Sequence, residues 1–109
     1  MTLTPDQLVI LDMIDAGGTH AFYTPDFVYR IEAAFGFSRG ALLEEERANT
    51  GMPKGLRVEG VERGARVCGA SSWNVTDAIA RKLGVSYAYG YGRGTNQRRA
   101  LEAIRAAID

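Results

Sequence analysis

Thr50-Gly51-Met52-Pro53-Lys54-Gly55-Leu56-Arg57-Val58-Glu59-Gly60-Val61 is the stretch where the chain changes its period. Gly51 and Pro53 stop a helix, because neither residue sustains helical backbone. Beyond Pro53, Leu56, Val58 and Val61 alternate loosely with polar residues. Glu62-Arg63-Gly64 supplies a turn, and Ala65-Arg66-Val67-Cys68 returns. That pattern predicts a β-hairpin over residues 56–68.

Upstream of the switch the period is helical. Thr4-Pro5-Asp6-Gln7 is a helix start: Thr4 can cap, Pro5 suits the first turn, and Gln7 can reach back to close a capping box. Leu8, Leu11 and Ile14, with Val9, Ile10 and Met13 between them, make this helix apolar nearly all round, so it is expected to be mostly buried. Gly17-Gly18 ends it. Thr24-Pro25-Asp26 repeats the start signal, and Phe27, Val28, Ile31, Ala34 and Phe35 follow at helical spacing. Gly36 breaks that helix. Ser38 can cap a third one, running to about Asn49 and carrying Leu42 and Leu43.

Downstream, Ser72 can cap a helix holding Val75, Ile79 and Leu83, which Gly84 closes. Val85 to Tyr91 reads as a strand. Gly92-Arg93-Gly94 is a loop, and Thr95 or Asn96 caps a last helix with Leu101, Ile104 and Ile108 on one stripe. The predicted order is ααα-ββ-α-β-α. This is an α+β fold in one domain: three N-terminal helices, then a small antiparallel sheet with two further helices. Residues 1–50 form a helical half and residues 54–109 an α/β half.

The 109 residues carry 46% hydrophobic side chains, which suits a packed domain and not a disordered tail. The formal net charge is zero, yet the halves differ. Residues 1–50 hold three arginines against eight carboxylates, −5; residues 51–109 hold ten basic residues against five acidic ones, +5. A single cysteine, Cys68, excludes an internal disulfide, and one histidine, His20, leaves no His/Cys zinc site within the chain. No apolar run reaches the roughly 18–20 residues of a membrane span. Met1 to Asp6 lacks the basic and apolar regions of a secretory leader, so the expected location is cytoplasmic, with no membrane partner.

Ile31-Glu32-Ala33-Ala34-Phe35-Gly36-Phe37-Ser38-Arg39-Gly40-Ala41-Leu42 gives helix, glycine turn, cap and second helix in succession. With the first helix and the Gly55-Leu56 entry into the hairpin, residues 3–68 resemble the winged-helix and helix-turn-helix regulators. The resemblance implies a DNA contact through the third helix. This chain departs from the pattern there, because Glu44, Glu45 and Glu46 would oppose phosphates. Farther on, residues 73–108, from Trp73-Asn74-Val75-Thr76-Asp77-Ala78 to the Ala-rich closing helix, resemble the small phage-encoded α/β sandwich domains. That resemblance implies a mobile-element origin and no particular activity.

Tyr87-Ala88-Tyr89-Gly90-Tyr91 would place three tyrosines on one face of a strand and Ala88 and Gly90 on the other. Aromatic rings beside arginines hold single-stranded nucleic acid by stacking on its bases. Gly90-Tyr91-Gly92-Arg93-Gly94-Thr95-Asn96 then runs from a strand into a helix start. Its glycines free backbone N–H groups, and Arg93, Arg98 and Arg99 add charge, so Gly92, Gly94 and Asn96 form a candidate anion-binding loop. Thr95 occupies the third-glycine position of the dinucleotide fingerprint, and no Walker Gly-Lys-Ser/Thr occurs. The segment resembles the end of a double-stranded-RNA-binding domain, except that Gln97 and Leu101 stand where basic residues belong.

No constellation suits catalysis. His20 reads as a solvated loop side chain, Cys68 as a small strand hydrophobe, and Glu44-Glu45-Glu46 as a solvated run. The expected protein is a small non-enzymatic nucleic-acid-binding or regulatory protein without cofactor or metal. Its contact residues would be Arg93, Arg98, Arg99, Arg81, Lys82, Tyr87, Tyr89 and Tyr91. The alternative is a phage or mobile-element adaptor or inhibitor that presents Asp26, Glu32, Glu44, Glu45 and Glu46 to a basic protein partner. Either is compatible with a homo-oligomer.

Overall fold

The structure, a computed structural model, describes residues 1–49 and 69–109. These residues form an α+β fold dominated by helices. The elements are α1 (Pro5–Gly17), β1 (Phe22–Tyr23), α2 (Pro25–Phe35), α3 (Ala41–Asn49), β2 (Ala70–Ser71), α4 (Ser72–Lys82) and α5 (Arg93–Ala106). The expected hairpin over 56–68, with Cys68, lies outside the described residues.

The first two helices start where their caps predict. The Thr4 hydroxyl accepts from the Gln7 N–H at 3.1 Å, and Gln7 Oε1 accepts from the Thr4 N–H at 2.8 Å, completing the capping box. Gln7 Nε2 also donates to the Ala34 carbonyl at 2.9 Å, which ties the start of α1 to the end of α2. Thr24 caps α2, and Gly36 closes it at φ +81°, a left-handed turn that glycine adopts without strain.

The start of α3 departs from expectation. The helix begins at Ala41, and its orphan N–H groups are met by Glu32, not by the Ser38 side chain. Gly40 N–H donates to Glu32 Oε1 and Leu42 N–H to Oε2, each at 2.9 Å. Glu32 projects from α2 and is buried. One carboxylate therefore caps the next helix and fixes the turn between them. Glu46, on α3, does the same one step on: its Oε1 accepts from the Ser71 N–H at 2.6 Å and from Asn74 Nδ2 at 2.9 Å.

The sheet also differs from the predicted one. Among the described residues it has two antiparallel strands, β1 and β2, in the register Phe22↔Ser71 and Tyr23↔Ala70. Residues 85–91 carry no strand pairing. Ser71 caps α4, one residue before the expected Ser72. That leaves Ser72 facing inward, where its hydroxyl donates to Gln97 Oε1 at 2.6 Å. Gln97 Nε2 in turn donates to the Gly18 carbonyl at 3.0 Å, so α5 is joined to α4 and to the end of α1.

The core draws Ile10, Leu11 and Ile14 from α1, Val28, Ile31 and Phe35 from α2, Leu42 from α3, Val75 and Ile79 from α4, and Leu101 and Ile104 from α5. The expectation of a mostly buried α1 fails: Leu8, Val9 and Met13 are exposed. A helix packed on one side buries one face whatever the other face carries.

Gly69 enters β2 at φ +152°, and a Cβ there would lie 1.7 Å from the Tyr23 carbonyl oxygen. No side chain fits without parting the strands. Gly69→Ala is expected to cost at least about 2 kcal/mol in urea denaturation. Glu32→Ala leaves two helix-start N–H groups without an acceptor and should cost about 2–4 kcal/mol. Glu32→Gln, which keeps one acceptor, should cost roughly half as much. Glu44→Ala, on the exposed side of α3, should stay within about 0.5 kcal/mol. Equal midpoints for Glu32→Ala and Glu44→Ala would refute the capping role.

Candidate functional site

Residues 85–92 form a strap between α4 and α5, and its period-two spacing decides what it touches. Val85 N–H donates to the Ala80 carbonyl at 2.8 Å, anchoring the strap as it leaves α4. The Tyr87 and Tyr89 hydroxyls both donate to Asp77 Oδ1 on α4, at 2.6 and 3.3 Å. The intervening residues meet α5. Arg99 Nη1 donates to the Ala88 carbonyl at 3.1 Å, and Gly90 is clipped to Asn96 by two hydrogen bonds, of 2.7 and 3.2 Å. A Cβ on Gly90 would come within 3.0 Å of Thr95, so the small residue permits that approach. The predicted two-faced spacing thus operates in a strap and not in a sheet.

Asn96 does not cap α5, as the sequence suggested it or Thr95 would. Gly92 is the N-cap, at φ +82°, and it has no side chain with which to bond the first-turn N–H groups. Gly94 packs against the loop after α1, where a Cβ would stand 3.2 Å from Thr19 and 3.6 Å from His20 Nε2. Tyr91 is fully exposed at the end of the strap. Arg93 and Arg98 are exposed, and among the described residues neither they nor Arg99 pair with a carboxylate. The first turn of α5 thus carries Arg93, Gly94 and Asn96 behind Tyr91 and Gly92, Arg98 and Arg99 follow in the second turn, and Arg99 is turned to the strap.

Other proposed contact residues lie elsewhere. Arg81 is held between Asp77, at 3.0 Å from its Nε, and Glu45. Burial opposes the Arg81 charge, but the two carboxylates outweigh it and raise the pKa. Lys82 Nζ lies over the Phe37 ring, 5.5 Å from its centroid. Tyr87 is half-buried.

The acidic set does not form a surface. Glu32 and Glu46 are buried caps, against the expectation of a solvated run at 44–46. Glu45 binds Arg81, and Glu44 pairs with Arg47 at 3.1 Å. Asp26 alone of the five is exposed without a pair among the described residues. Within the described residues no three His, Asp or Glu side chains stand together to hold a metal, and no helix is long and apolar enough to cross a membrane.

Trp73 and Asp77 were not singled out as site residues. Trp73 packs at near right angles on Tyr87 and on Tyr89, with centroids 6.1 Å apart in each pair. Their signal is their spacing: Trp73, Asp77 and Arg81 recur at four-residue steps along one side of α4.

No protein family, no curated protein and no solved structure matches the chain.

Two tyrosines resist ionisation. Burial raises the Tyr87 pKa first, with the Asp77 charge and hydrogen bond adding to it. Burial also pushes Tyr23 up to about 12; Ser72 is near enough to lower that value a little but stands outside hydrogen-bonding geometry. Unfolded tyrosines ionise near about 10. The stability linked to both is therefore present below about pH 10 and lost as pH rises toward and past the folded values. Stability should fall above about pH 10, less steeply in Tyr23→Phe, and ultraviolet titration should show Tyr87 ionising earlier in Asp77→Asn. An unchanged tyrosine titration in Asp77→Asn would remove Asp77 as a cause.

Proposed function

We propose that this is a small non-enzymatic nucleic-acid-binding or regulatory protein of the cytoplasm, which grips phosphates through the start of α5. The observation that carries the reading is the contrast in charge matching. Asp6, Asp12, Glu44, Glu45 and Asp77 pair with arginines, whereas Arg93, Arg98 and Arg99 pair with no described carboxylate. Arg93 stands in the first turn of α5, where the helix dipole opposes a cation unless an anion joins it, and Arg98 and Arg99 follow in the second turn. The first turn, whose N-cap is a glycine with no side chain to bond it, supplies further N–H donors. Tyr91, fully exposed beside them, offers a ring on which a base can stack.

In this reading α3 is not the contact element. Its inner side is held by Leu42 and the buried Glu46, and its outer side carries Glu44. The acidic-adaptor alternative loses its support for the same reason, since four of its five carboxylates are engaged within the protein.

Fluorescence anisotropy against single- and double-stranded DNA and RNA, at two salt concentrations, tests the proposal. Replacing Arg93, Arg98 and Arg99 together by alanine should weaken binding with little sequence preference. Each lost phosphate contact should lower the salt slope by about 0.7–0.9. Tyr91→Ala should weaken single-strand binding by roughly five- to a hundredfold, the worth of one stacked base, and duplex binding less. Absence of binding at low salt by the folded native protein would overturn the reading.

A further inference from the structure

The strap has a second face, turned away from the arginines of α5. There Trp73, Tyr87 and Tyr89 stand in mutual contact, with centroids 6.1, 6.1 and 5.1 Å apart and ring planes at 85°, 87° and 77°. Tyr89 is 66% exposed, and Trp73 and Tyr87 are half-buried, so the trio opens to solvent on the Tyr89 side. Behind it, Asp77 and Glu45 share the single guanidinium of Arg81. Two carboxylates against one cation leave a charge of about −1 among these three groups, at the hydroxyl ends of Tyr87 and Tyr89. Among the described residues no lysine or arginine lies over any of the three; the cation–ring pairs are Arg39 on Tyr29 and Lys82 on Phe37.

We infer that this aromatic trio with Asp77 is a recognition site for a quaternary or fully methylated ammonium group. A cation on the open side of the triangle of centroids can reach all three within the roughly 6 Å over which ring quadrupoles attract it. The hydrogen bonding decides which cation. Asp77 Oδ1 already accepts from two tyrosine hydroxyls, and Oδ2 from Arg81. The carboxylate offers charge but few open lone pairs. A primary ammonium or a guanidinium would be stripped of water without a full set of acceptors. A methylated ammonium donates no hydrogen bond and needs only the π faces and the charge. The site shares the strap with the basic helix start, through Asn96 on Gly90 and Arg99 on Ala88, but none of its binding groups.

Trp73 is the one tryptophan in the chain, so its fluorescence reports the site directly. Tetramethylammonium chloride should change that signal saturably in the millimolar range. Sodium chloride at equal ionic strength, and the neutral isostere 3,3-dimethylbutanol, should not. Tyr89→Ala, an exposed change that leaves the core intact, should weaken the response about three- to thirtyfold. Asp77→Asn should weaken it too, and circular dichroism verifies the fold of each variant. A variant with Arg93 and Arg98 replaced by alanine, which leaves the Arg99 anchor on Ala88 in place, should respond as the native protein does, so failure of the phosphate reading leaves this one standing. Choline and a trimethyl-lysine peptide, each competed against tetramethylammonium, separate the two sources of such a group; the peptide's unmodified-lysine counterpart should not compete. No saturable response, or an equal response to dimethylbutanol, would show the trio to be a packing cluster and overturn the inference.

Discussion

Two carboxylates taken out of water hold this fold in register. Glu32 ends no ion pair among the described residues; it accepts the N–H groups of Gly40 and Leu42. Glu46 accepts from Ser71 and Asn74, twenty-five and twenty-eight residues away in sequence. A buried charge is expensive unless hydrogen bonds replace the water it loses, and an orphan helix-start N–H is costly for the mirror reason. Each defect cancels the other. The arrangement is directional, so it fixes where α3 begins relative to α2 and where β2 and α4 stand relative to α3. Hydrophobic burial alone, being non-directional, would leave those positions loose.

What could be read from sequence follows from how local each cause is. The capping box at Thr4 and the cap at Thr24 work over three residues, and both stand where the sequence places them. The sheet could not be read this way. Its strands are two residues each, too short to show a period, and they pair across almost fifty residues. The tyrosine run failed as a strand for a different reason. Its alternation is real, but Asp77 on one side and Arg99 with Asn96 on the other satisfy it without a partner strand. Period two reports two different surroundings, and a sheet is only the commonest way to supply them.

The acidic half was misread because counting charges ignores where a helix turns them. Glu32 falls between Ile31 and Phe35 and four residues after Val28, on the face that α2 buries. Glu46 falls four residues after the buried Leu42. Both spacings are visible in the sequence, and both put a carboxylate on an apolar stripe, where it must find donors. Trp73 and Asp77 show the converse. Their four-residue spacing was legible, but the tyrosines that complete the cluster arrive from a strap whose path no local rule sets.

The same accounting reduces the −5/+5 polarity among the described residues. Arg105 of α5 reaches back to Asp12 at 2.9 Å and Asp15 at 3.9 Å, Arg81 of α4 reaches Glu45, and Arg30 takes Asp6 within the first half. Among the described residues, Arg81 and Arg105 of the second half are thus set against carboxylates of the first. Internal pairing is not uniform, however. It spends the arginines at the C-terminal end of α5 and at the end of α4, and it leaves those around the first turns of α5 without carboxylates. A helix start is the least favourable place to leave cations unmatched, because the backbone dipole adds to their repulsion. Three of the described cations without a carboxylate therefore lie in the first two turns of α5, and the aromatic trio meets the strap from the α4 side. The strap between them is held from α4 by Asp77 and from α5 by Asn96 and Arg99, so its alternating residues are fixed to two different helices.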